Sequence, residues 1–197
     1  MTIDHDAQLM LSVKDGDRKA FQELFRRHAG SLNHFVCRFV GNPSVAEELV
    51  QEIFFKIYRA AHSYEPRGRF TTYLYRVATN HCLNEVRRAD YRERFDSIEQ
   101  SIEDKDRPAI DLPNTNEAGA EEHLWGHRLA EQLHLFLLDL PENQRAALLL
   151  NRLEDLSYQE IADVLAVSVG AVKSLLHRAR NTLRKRLEVW NEESSRI

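Results

Sequence analysis

A chain of 197 residues with 43% hydrophobic content can support one large domain or two small ones, each with a real core. Its formal net charge of −4 excludes a protein that coats nucleic acid through overall positive charge, so any DNA binding has to come from local basic patches. The two cysteines, Cys37 and Cys82, lie far apart, and no apolar run approaches the roughly 18 residues of a membrane span. These features predict a reduced, cytoplasmic chain without disulfides, signal peptide or membrane insertion.

Scarce glycine and proline in the periodic segments, and the lack of strand-like alternation, predict an all-α protein. A first helix is expected over about Arg18–Val40, ended by the Gly-Asn-Pro sequence at 41–43. Ser44 and Glu47 form a capping-box pattern that predicts a second helix, continuing to about Ala61. The expected buried stripes are Phe21, Leu24, Phe25, Leu32, Phe35, Val36 and Phe39 in the first helix and Ala46, Leu49, Val50, Ile53, Phe54 and Ile57 in the second.

The polar face of the second predicted helix includes one aromatic residue, Phe55. An exposed aromatic ring surrounded by carboxylates is typical of a binding hot spot for a basic partner. The alternative is that Phe55 packs under the N-terminal residues of the chain. The other residues on this face are Glu47, Glu48, Gln51, Glu52, Lys56 and Arg59.

A third helix is predicted from about Phe70 to Arg92, and it combines aromatic, amide and arginine side chains on one face. Such a face can stack bases, hydrogen-bond their edges and contact phosphates, as single-stranded DNA binding requires. The preceding basic loop could hold a base flipped out of the stack. The alternative is an ordinary solvated face of an amphipathic helix. The residues concerned are Tyr73, Arg76, Asn80, Asn84, Arg87 and Tyr91 on the helix, and Tyr64, Arg67 and Arg69 in the loop.

The periodicity is lost between residues 95 and 122. This stretch holds nine acidic residues against only Lys105 and Arg107, together with Pro108 and Pro113. Because such a composition cannot bury a core, it predicts a flexible acidic linker between two small helical domains. The predicted division is a first domain at 1–94, the linker at 95–122, a second domain at 123–190 and a tail at 191–197.

The segment 156–186 has the pattern of a helix-turn-helix. Ser157 and Glu160 form a capping box, and Ser168 can cap a second helix after a turn at Ala166 and Val167. The inner faces are expected to contain Ile161, Val164 and Leu165 in the first helix and Val169, Val172, Leu175 or Leu176, and Ala179 in the second.

The charged residues of the second of these helices are all basic up to Arg186. A helix-turn-helix places its second helix in the DNA major groove, where basic side chains contact phosphates and a few others read bases. The alternative is a helical hairpin in a bundle with a solvated basic face. The basic residues are Lys173, Arg178, Arg180, Arg184, Lys185 and Arg186.

No pattern predicts a catalytic, metal or cofactor site. His123, His127 and His134 recur at helical spacing, but neither a cysteine nor a carboxylate completes a recognised ligand set. Phosphate-binding glycine loops and nucleophile motifs are also missing. The chain is therefore not expected to be an enzyme.

Three segments resemble parts of the extracytoplasmic-function (ECF) sigma factors of bacterial RNA polymerase. The family's helix that docks on the clamp of the polymerase β′ subunit is similar to AEELVQEIFFKIYRA. Its promoter-melting and −10 element helix is similar to RFTTYLYRVATNHCLNEVRR. Its −35 binding domain is similar to LPENQRAALLLNRLEDLSYQEIADVLAVSVGAVKSLLHRARNTLRKRL. The resemblance as a whole covers nearly the whole chain apart from the predicted linker.

The resemblance implies a factor that binds core polymerase (the β′ clamp and the β subunit), recognises both promoter elements and melts DNA. It also implies an anti-sigma factor as a partner. The implied clamp contacts are Glu48, Gln51, Glu52 and Phe55. The implied −10 contacts are Tyr64, Arg67, Arg69, Tyr73, Arg76, Asn80, Asn84, Arg87 and Arg88. The implied −35 contacts are Ser157, Tyr158, Ser168, Lys173, Ser174, His177, Arg178 and Arg180.

The sequence departs from the family pattern at three positions. Tyr73 stands where the family often has tryptophan, and Leu175 where it often has arginine. Ala166 stands where many relatives have glycine in the turn. The main alternative to a sigma factor is a helix-turn-helix transcriptional regulator whose N-terminal helices serve dimerisation or sensing.

Overall fold

A computed structural model describes the backbone of residues 4–99 and 120–194 and the side chains of residues 4–89 and 125–192. Every regular element in these ranges is helical, which confirms the all-α prediction. A single 3₁₀ turn, Ala61–Ser63, follows α3. The α-helices are α1 (His5–Lys14), α2 (Arg18–Val40), α3 (Pro43–Ala60), α4 (Phe70–Glu99), α5 (Ala120–Leu138), α6 (Glu142–Leu153), α7 (Tyr158–Leu165) and α8 (Val169–Ser194).

Helix α1 was not predicted from the sequence. It packs the beginning of the described chain against α2 and α4, with which it forms an N-terminal helical bundle. The Asp4 side chain accepts a hydrogen bond from the Ala7 N–H at 2.6 Å and another from the Phe70 N–H at 2.9 Å. One carboxylate thus caps the first turns of both α1 and α4. Ala7 and Met10 are completely buried, so α1 completes the core formed by α2, α3 and α4.

Helices α2 and α3 follow the predicted boundaries, but the predicted cap of α3 is wrong. Asn42 is the N-cap, because its side-chain oxygen accepts from the N–H groups of Ser44 and Val45 at 3.0 and 3.2 Å. Pro43 occupies the first turn, where its missing N–H costs nothing. Gly41 ends α2 with φ 78°, the left-handed conformation that glycine adopts without strain.

The predicted buried stripe of α3 is confirmed at all six positions, whereas that of α2 has two exceptions. Phe25 is 42% exposed, and its ring packs on the edge of the core against Phe54 at 4.7 Å between centroids. Phe21 is only partly buried and contacts Tyr58. The apolar stripe of α2 is wider than the surface that α3 and α4 cover, so Phe21 and Phe25 at its edge remain partly exposed to solvent.

The predicted helix-turn-helix is formed by α7 and α8. The Ser157 N–H and hydroxyl donate to Glu160 at 2.9 and 2.7 Å, which confirms the capping box. Ser168 accepts from the Ala171 N–H at 3.1 Å and caps α8. In α8 the buried leucine is Leu176, while Leu175 is only partly buried.

Ala166 ends α7 in the left-handed conformation, with φ 54° and ψ 44°. In this conformation the Cβ of a non-glycine residue adds about 1–2 kcal/mol of steric strain, which glycine avoids. We therefore expect Ala166→Gly to raise the free energy of unfolding by about 1 kcal/mol, measured by urea denaturation. The same substitution at the exposed helical residue Ala89 is expected to lower it by about 1 kcal/mol. Destabilisation by both changes would contradict the strain at Ala166.

The N- and C-terminal helices pack directly on each other. Helices α5 and α6 lie against α2, and α7 lies against α4. Arg145 of α6 is 6% exposed, and its guanidinium donates to three carbonyl oxygens, those of Phe39, Leu138 and Leu140. The same guanidinium lies 5.4 Å from the centroid of the Phe39 ring. One arginine of the C-terminal half thus binds the end of α2.

The helices on either side of the predicted linker extend further than the sequence indicates. Helix α4 continues to Glu99 rather than ending near residue 92, and α5 begins at Ala120. Residues 95–99 and 120–122 are therefore helical, in contrast to the predicted linker boundaries. The rest of that segment, with Lys105, Arg107 and the two prolines, lies outside the described residues.

Candidate nucleic-acid interface

The acidic face of α3 is open to solvent around Phe55. The Phe55 side chain is 61% exposed, and the Arg59 guanidinium lies 5.8 Å from its ring centroid. The alternative that Phe55 packs under the N-terminal residues is therefore wrong. The predicted contacts Glu48, Gln51 and Glu52 are exposed on the same helix.

One of these carboxylates is connected to α4 through a histidine. The Lys56 ammonium lies 2.7 Å from His81 Nδ1, and His81 Nε2 lies 2.6 Å from a Glu52 carboxylate oxygen. Because an ammonium can only donate, Nδ1 accepts and Nε2–H donates to Glu52. His81 was not predicted to take part in any interaction, since its partners lie 25 and 29 residues away in sequence.

The polar face predicted for α4 is present. Tyr73 is half-buried beneath the Arg76 guanidinium, which lies 5.7 Å from its ring centroid. Arg88 forms an ion pair with Glu85 at 3.6 Å within the helix. Leu74 and Ala78 lie on the opposite side and are completely buried. The exposed members of the face are Arg76, Asn80, Asn84, Arg87 and Arg88, and the side chain of Tyr91 lies outside the described residues.

The loop before α4 presents its arginines to solvent but not its tyrosine. Tyr64 is 5% exposed, its ring packs against Tyr73 at 5.2 Å, and burial raises its pKa to about 12. In this conformation the Tyr64 ring belongs to the core and offers no surface to a base. Arg67 pairs with the neighbouring Glu65 at 2.8 Å, and Arg69 pairs with Glu160 of α7 at 3.3 Å.

A cleft of about 640 Å³ lies between this loop, the start of α4 and α7. The wall formed by the loop and α4 carries three arginines that were predicted as −10 contacts. The opposite wall, formed by α7, carries two carboxylates. The charged lining residues are Arg67, Arg69 and Arg76 on one side, with the neighbouring Glu65, and Glu160 and Asp163 on the other.

The basic face of α8 is exposed along its first three turns. The Arg180 guanidinium donates to the Asn151 side chain of α6 at 2.9 Å, and the residue remains exposed. His177 lies 2.9 Å from the Asn181 amide one turn later. Ser157 and Ser168 are exposed at the helix starts, and Tyr158 is partly buried. The exposed side chains on α8 are Lys173, Ser174, His177, Arg178 and Arg180.

Several residues of these surfaces could not be identified from the sequence. Thr72 donates to Glu160 at 3.3 Å, and Arg87 pairs with Glu142 at 3.2 Å. Each contact joins residues more than 50 positions apart, for which a local pattern gives no signal. Among the residues with described side chains, no group of three histidine, cysteine or acidic residues could hold a metal ion. Nor do the described helices include one that is long and apolar enough to cross a membrane.

Fold and surfaces together define an all-α, helix-turn-helix DNA-binding protein with a second, aromatic and basic surface on a separate helical bundle. Two family models match the chain: "Sigma-70 region 2" over residues 24–92 and "Sigma-70, region 4" over residues 130–183. The chain belongs to the ECF subfamily of the sigma-70 RNA polymerase sigma factors, and it is an alternative sigma factor that acts in transcription initiation.

Similar proteins support this assignment over almost the whole chain. The ECF RNA polymerase sigma factor SigE of Mycolicibacterium smegmatis is 37% identical over 91% of this chain and 67% of that protein. The RNA polymerase sigma-H factor of Pseudomonas aeruginosa is 31% identical over 95% of this chain and 96% of that protein. The ECF RNA polymerase sigma-E factor of Escherichia coli K12 is 32% identical, covering 93% and 94%.

Two solved structures share the fold at low sequence identity. CnrH, solved in complex with the cytosolic domain of CnrY, has a TM-score of 0.68 and 23% identity, covering 94% of this chain and 99% of that one. The sigma factor RpoE of Bartonella quintana, solved with the anti-sigma factor NepR, also has a TM-score of 0.68 and 23% identity. Its match covers 87% of this chain and 98% of that one.

Proposed function

We propose that this sigma factor uses three faces for three separate contacts, and that it has no catalytic, metal or cofactor site. The first face is the α3 surface around Phe55, which binds the clamp of the polymerase β′ subunit. An exposed aromatic ring among carboxylates is complementary in charge to a basic docking surface and offers it an aromatic hot spot. The residues assigned to it are Glu48, Gln51, Glu52 and Phe55.

The second face is the loop and α4 surface, which binds the opened non-template strand at the −10 element. Arginines contact phosphates, amides contact base edges, and Tyr73 is the aromatic platform nearest to Arg76. Tyr64 is included from the family resemblance, and its buried ring would have to move to reach a base. The residues are Tyr64, Arg67, Arg69, Tyr73, Arg76, Asn80, Asn84, Arg87 and Arg88.

The third face is the helix-turn-helix, whose helix α8 enters the major groove of the −35 element. The first turns of α8 present charged and polar side chains with no acidic residue among them. Leu175, partly buried, contributes no phosphate contact of its own. The residues are Ser157, Tyr158, Ser168, Lys173, Ser174, His177, Arg178 and Arg180.

We assign the first two faces to a domain at 1–94 and the third face to a domain at 123–190. We further propose that the protein acts in the cytoplasm and is held inactive by an anti-sigma factor that covers these faces. Support comes from the two solved structures of the same fold, in which CnrH and RpoE are bound to CnrY and NepR.

One observation carries the proposal: three different surfaces occur together in one chain. Helix α3 has an acidic face with an exposed aromatic ring, the adjacent helix α4 has a basic face with an aromatic ring, and a capped helix-turn-helix lies beside them. The test is reconstitution of the full-length protein with core polymerase, followed by run-off transcription from a cognate promoter. Co-purification with core enzyme and a promoter-dependent transcript are expected. Specific binding to duplex DNA without either result would instead indicate a transcriptional regulator.

Salt dependence separates phosphate contacts from base contacts on α8. Arg180→Ala is expected to lower the slope of log affinity against log salt by about one and to weaken binding to all duplexes alike. Substitutions of Lys173 or His177 are expected to leave the general affinity closer to normal and to relax preference at one base position. Fluorescence anisotropy over a salt series measures both. Equal slopes for the three variants would contradict the assignment.

A further inference from the structure

The loop before α4, residues 64–69, is held at both of its ends by helix α1. At the beginning of the loop, the Lys14 ammonium donates to the Tyr64 carbonyl oxygen at 3.1 Å. Just after the loop, the Asp4 carboxylate accepts from the Phe70 N–H at 2.9 Å. Asp4 is the N-cap of α1 and Lys14 is its last residue. The two ends of one helix therefore bind the two ends of one loop.

The residues on either side of the loop are also fixed by packing. Tyr64 is 5% exposed and Phe70 is completely buried, and their ring centroids lie 6.4 Å apart. The His28 ring lies 5.4 Å from that of Phe70, and His28 Nε2 lies 2.9 Å from a carboxylate oxygen of Asp6 in the first turn of α1. Helix α1 thus reaches Phe70 in two ways, through Asp4 to its backbone and through Asp6 and His28 to its ring.

The middle of the loop has no such support. Residues 65–68 belong to neither a helix nor a strand, and a Cβ added at Gly68 would meet nothing within 4 Å. A loop with an unpacked tip loses conformational entropy when a ligand orders it, and it loses less when its ends are already fixed. The conformation of this loop in the free protein therefore depends on its two ends.

The side chains that the loop carries are those assigned to the −10 strand. Arg67 and Arg69 lie between the two points that α1 binds, and Tyr73, the aromatic platform, lies one turn after Phe70. Recognition groups carried on a loop keep their spacing to about 0.5 Å only when surrounding residues hold the loop. Release of either end would let the two arginines move relative to Tyr73.

We propose that α1 is a positioning element for promoter recognition, in which Asp4 and Lys14 fix the loop so that its arginines meet the −10 strand in one arrangement. Neither residue contacts DNA itself. This inference rests on the proposed function, because it assumes that residues 64–69 bind the −10 strand. It adds that base preference depends on a helix outside the three proposed faces.

Substitutions at Lys14 test the beginning of the loop. Lys14→Met removes the donor to the Tyr64 carbonyl oxygen and keeps a flexible apolar stem, and Lys14→Arg is the rescue variant because it supplies a charged donor again. Lys14 is exposed, so both variants are expected to fold. Lys19→Met is the matched control, since Lys19 is an exposed lysine in the first turn of α2.

Substitutions at two capping aspartates test the end of the loop. Asp4→Ala removes the acceptor for the Phe70 N–H together with the cap of α1. Asp17→Ala is its matched control, because Asp17 caps α2 by accepting from the N–H groups of Lys19 and Ala20. Each change removes one N-cap of the same kind, and only the first also releases the loop.

The measurement is base preference at the −10 element by holoenzyme made from the full-length protein and core polymerase. The probes are fluorescein-labelled single strands with the −10 element of the promoter used for run-off transcription, and a panel with each position changed to the other three bases. Base preference is a ratio of two affinities. A smaller amount of folded protein lowers both affinities alike, so a general loss of stability does not change the ratio.

We expect Lys14→Met and Asp4→Ala to reduce the preference for the favoured base about fivefold at one or two −10 positions, as lost preorganisation of a recognition loop predicts. Their affinity for −35 duplex is expected to stay within about twofold of wild type. Lys14→Arg is expected to restore the preference, and Lys19→Met and Asp17→Ala to keep it within about twofold of wild type.

The outcomes distinguish failure of the positioning role from failure of the proposed function. Wild-type preference in both Lys14→Met and Asp4→Ala, while Arg69→Ala weakens strand binding, would overturn the positioning role alone. An equal loss of preference in Lys19→Met and Asp17→Ala would also overturn it, since changes away from the loop would then suffice. Strand binding that Arg67→Ala and Arg69→Ala leave unchanged would overturn the assignment of the loop to the −10 strand, and the positioning role with it.

Discussion

Phe55→Ala is expected to weaken the affinity for core polymerase by about 30-fold, because truncating an aromatic hot spot costs about 2 kcal/mol or more. The Phe55 ring is 61% exposed, so its removal from the free protein should change the free energy of unfolding by no more than about 0.5 kcal/mol. Titration of fluorescently labelled protein with core polymerase measures the first quantity, and urea denaturation the second.

The matched control for Phe55 is Val189→Ala. Val189 is an exposed apolar residue, 56% accessible, at the far end of α8 and away from the acidic face of α3. Its truncation should leave polymerase affinity within about twofold of wild type. If Phe55→Ala also stayed within twofold, the α3 face would not be the polymerase contact.

Arg145→Met is expected to lower the free energy of unfolding by about 3 kcal/mol. The substitution keeps an apolar stem but leaves the carbonyl oxygens of Phe39, Leu138 and Leu140 without their charged donor. For a chain of this length the loss corresponds to a fall of roughly 6–12 °C in Tm. Because Arg145 joins the two halves, calorimetry should also show a broader unfolding transition for Arg145→Met than for wild type.

The control for Arg145 lies on the same helix. Arg152 is exposed near the end of α6, so Arg152→Met should shift Tm by no more than about 2 °C. An equally small shift for Arg145→Met would mean that the apolar contacts between α2, α5 and α6 hold the halves together without the guanidinium.

The elements that could be predicted are those whose causes lie within a few residues. The buried stripe of α3 follows from helical periodicity, and the cap of α7 follows from Ser157 and Glu160 three positions apart. The cap of α3 was wrong because Asn42, two residues before Ser44, accepts from the N–H groups of Ser44 and Val45, so the helix has already begun where the Ser44 pattern would start it. Helix α1 was missed because its few apolar residues become informative only when Asp4 fixes it beside α4.

By itself, the sequence determined the helical class, the helix-turn-helix and the chemistry of the three faces, since each depends on residues repeated along one helix. Only the tertiary structure decided that Tyr64 is buried, that Arg145 binds the end of α2, and that Glu160 meets Arg69 and Thr72. These contacts join residues far apart along the chain. Their formation depends on how whole helices pack, which local periodicity and capping patterns do not specify.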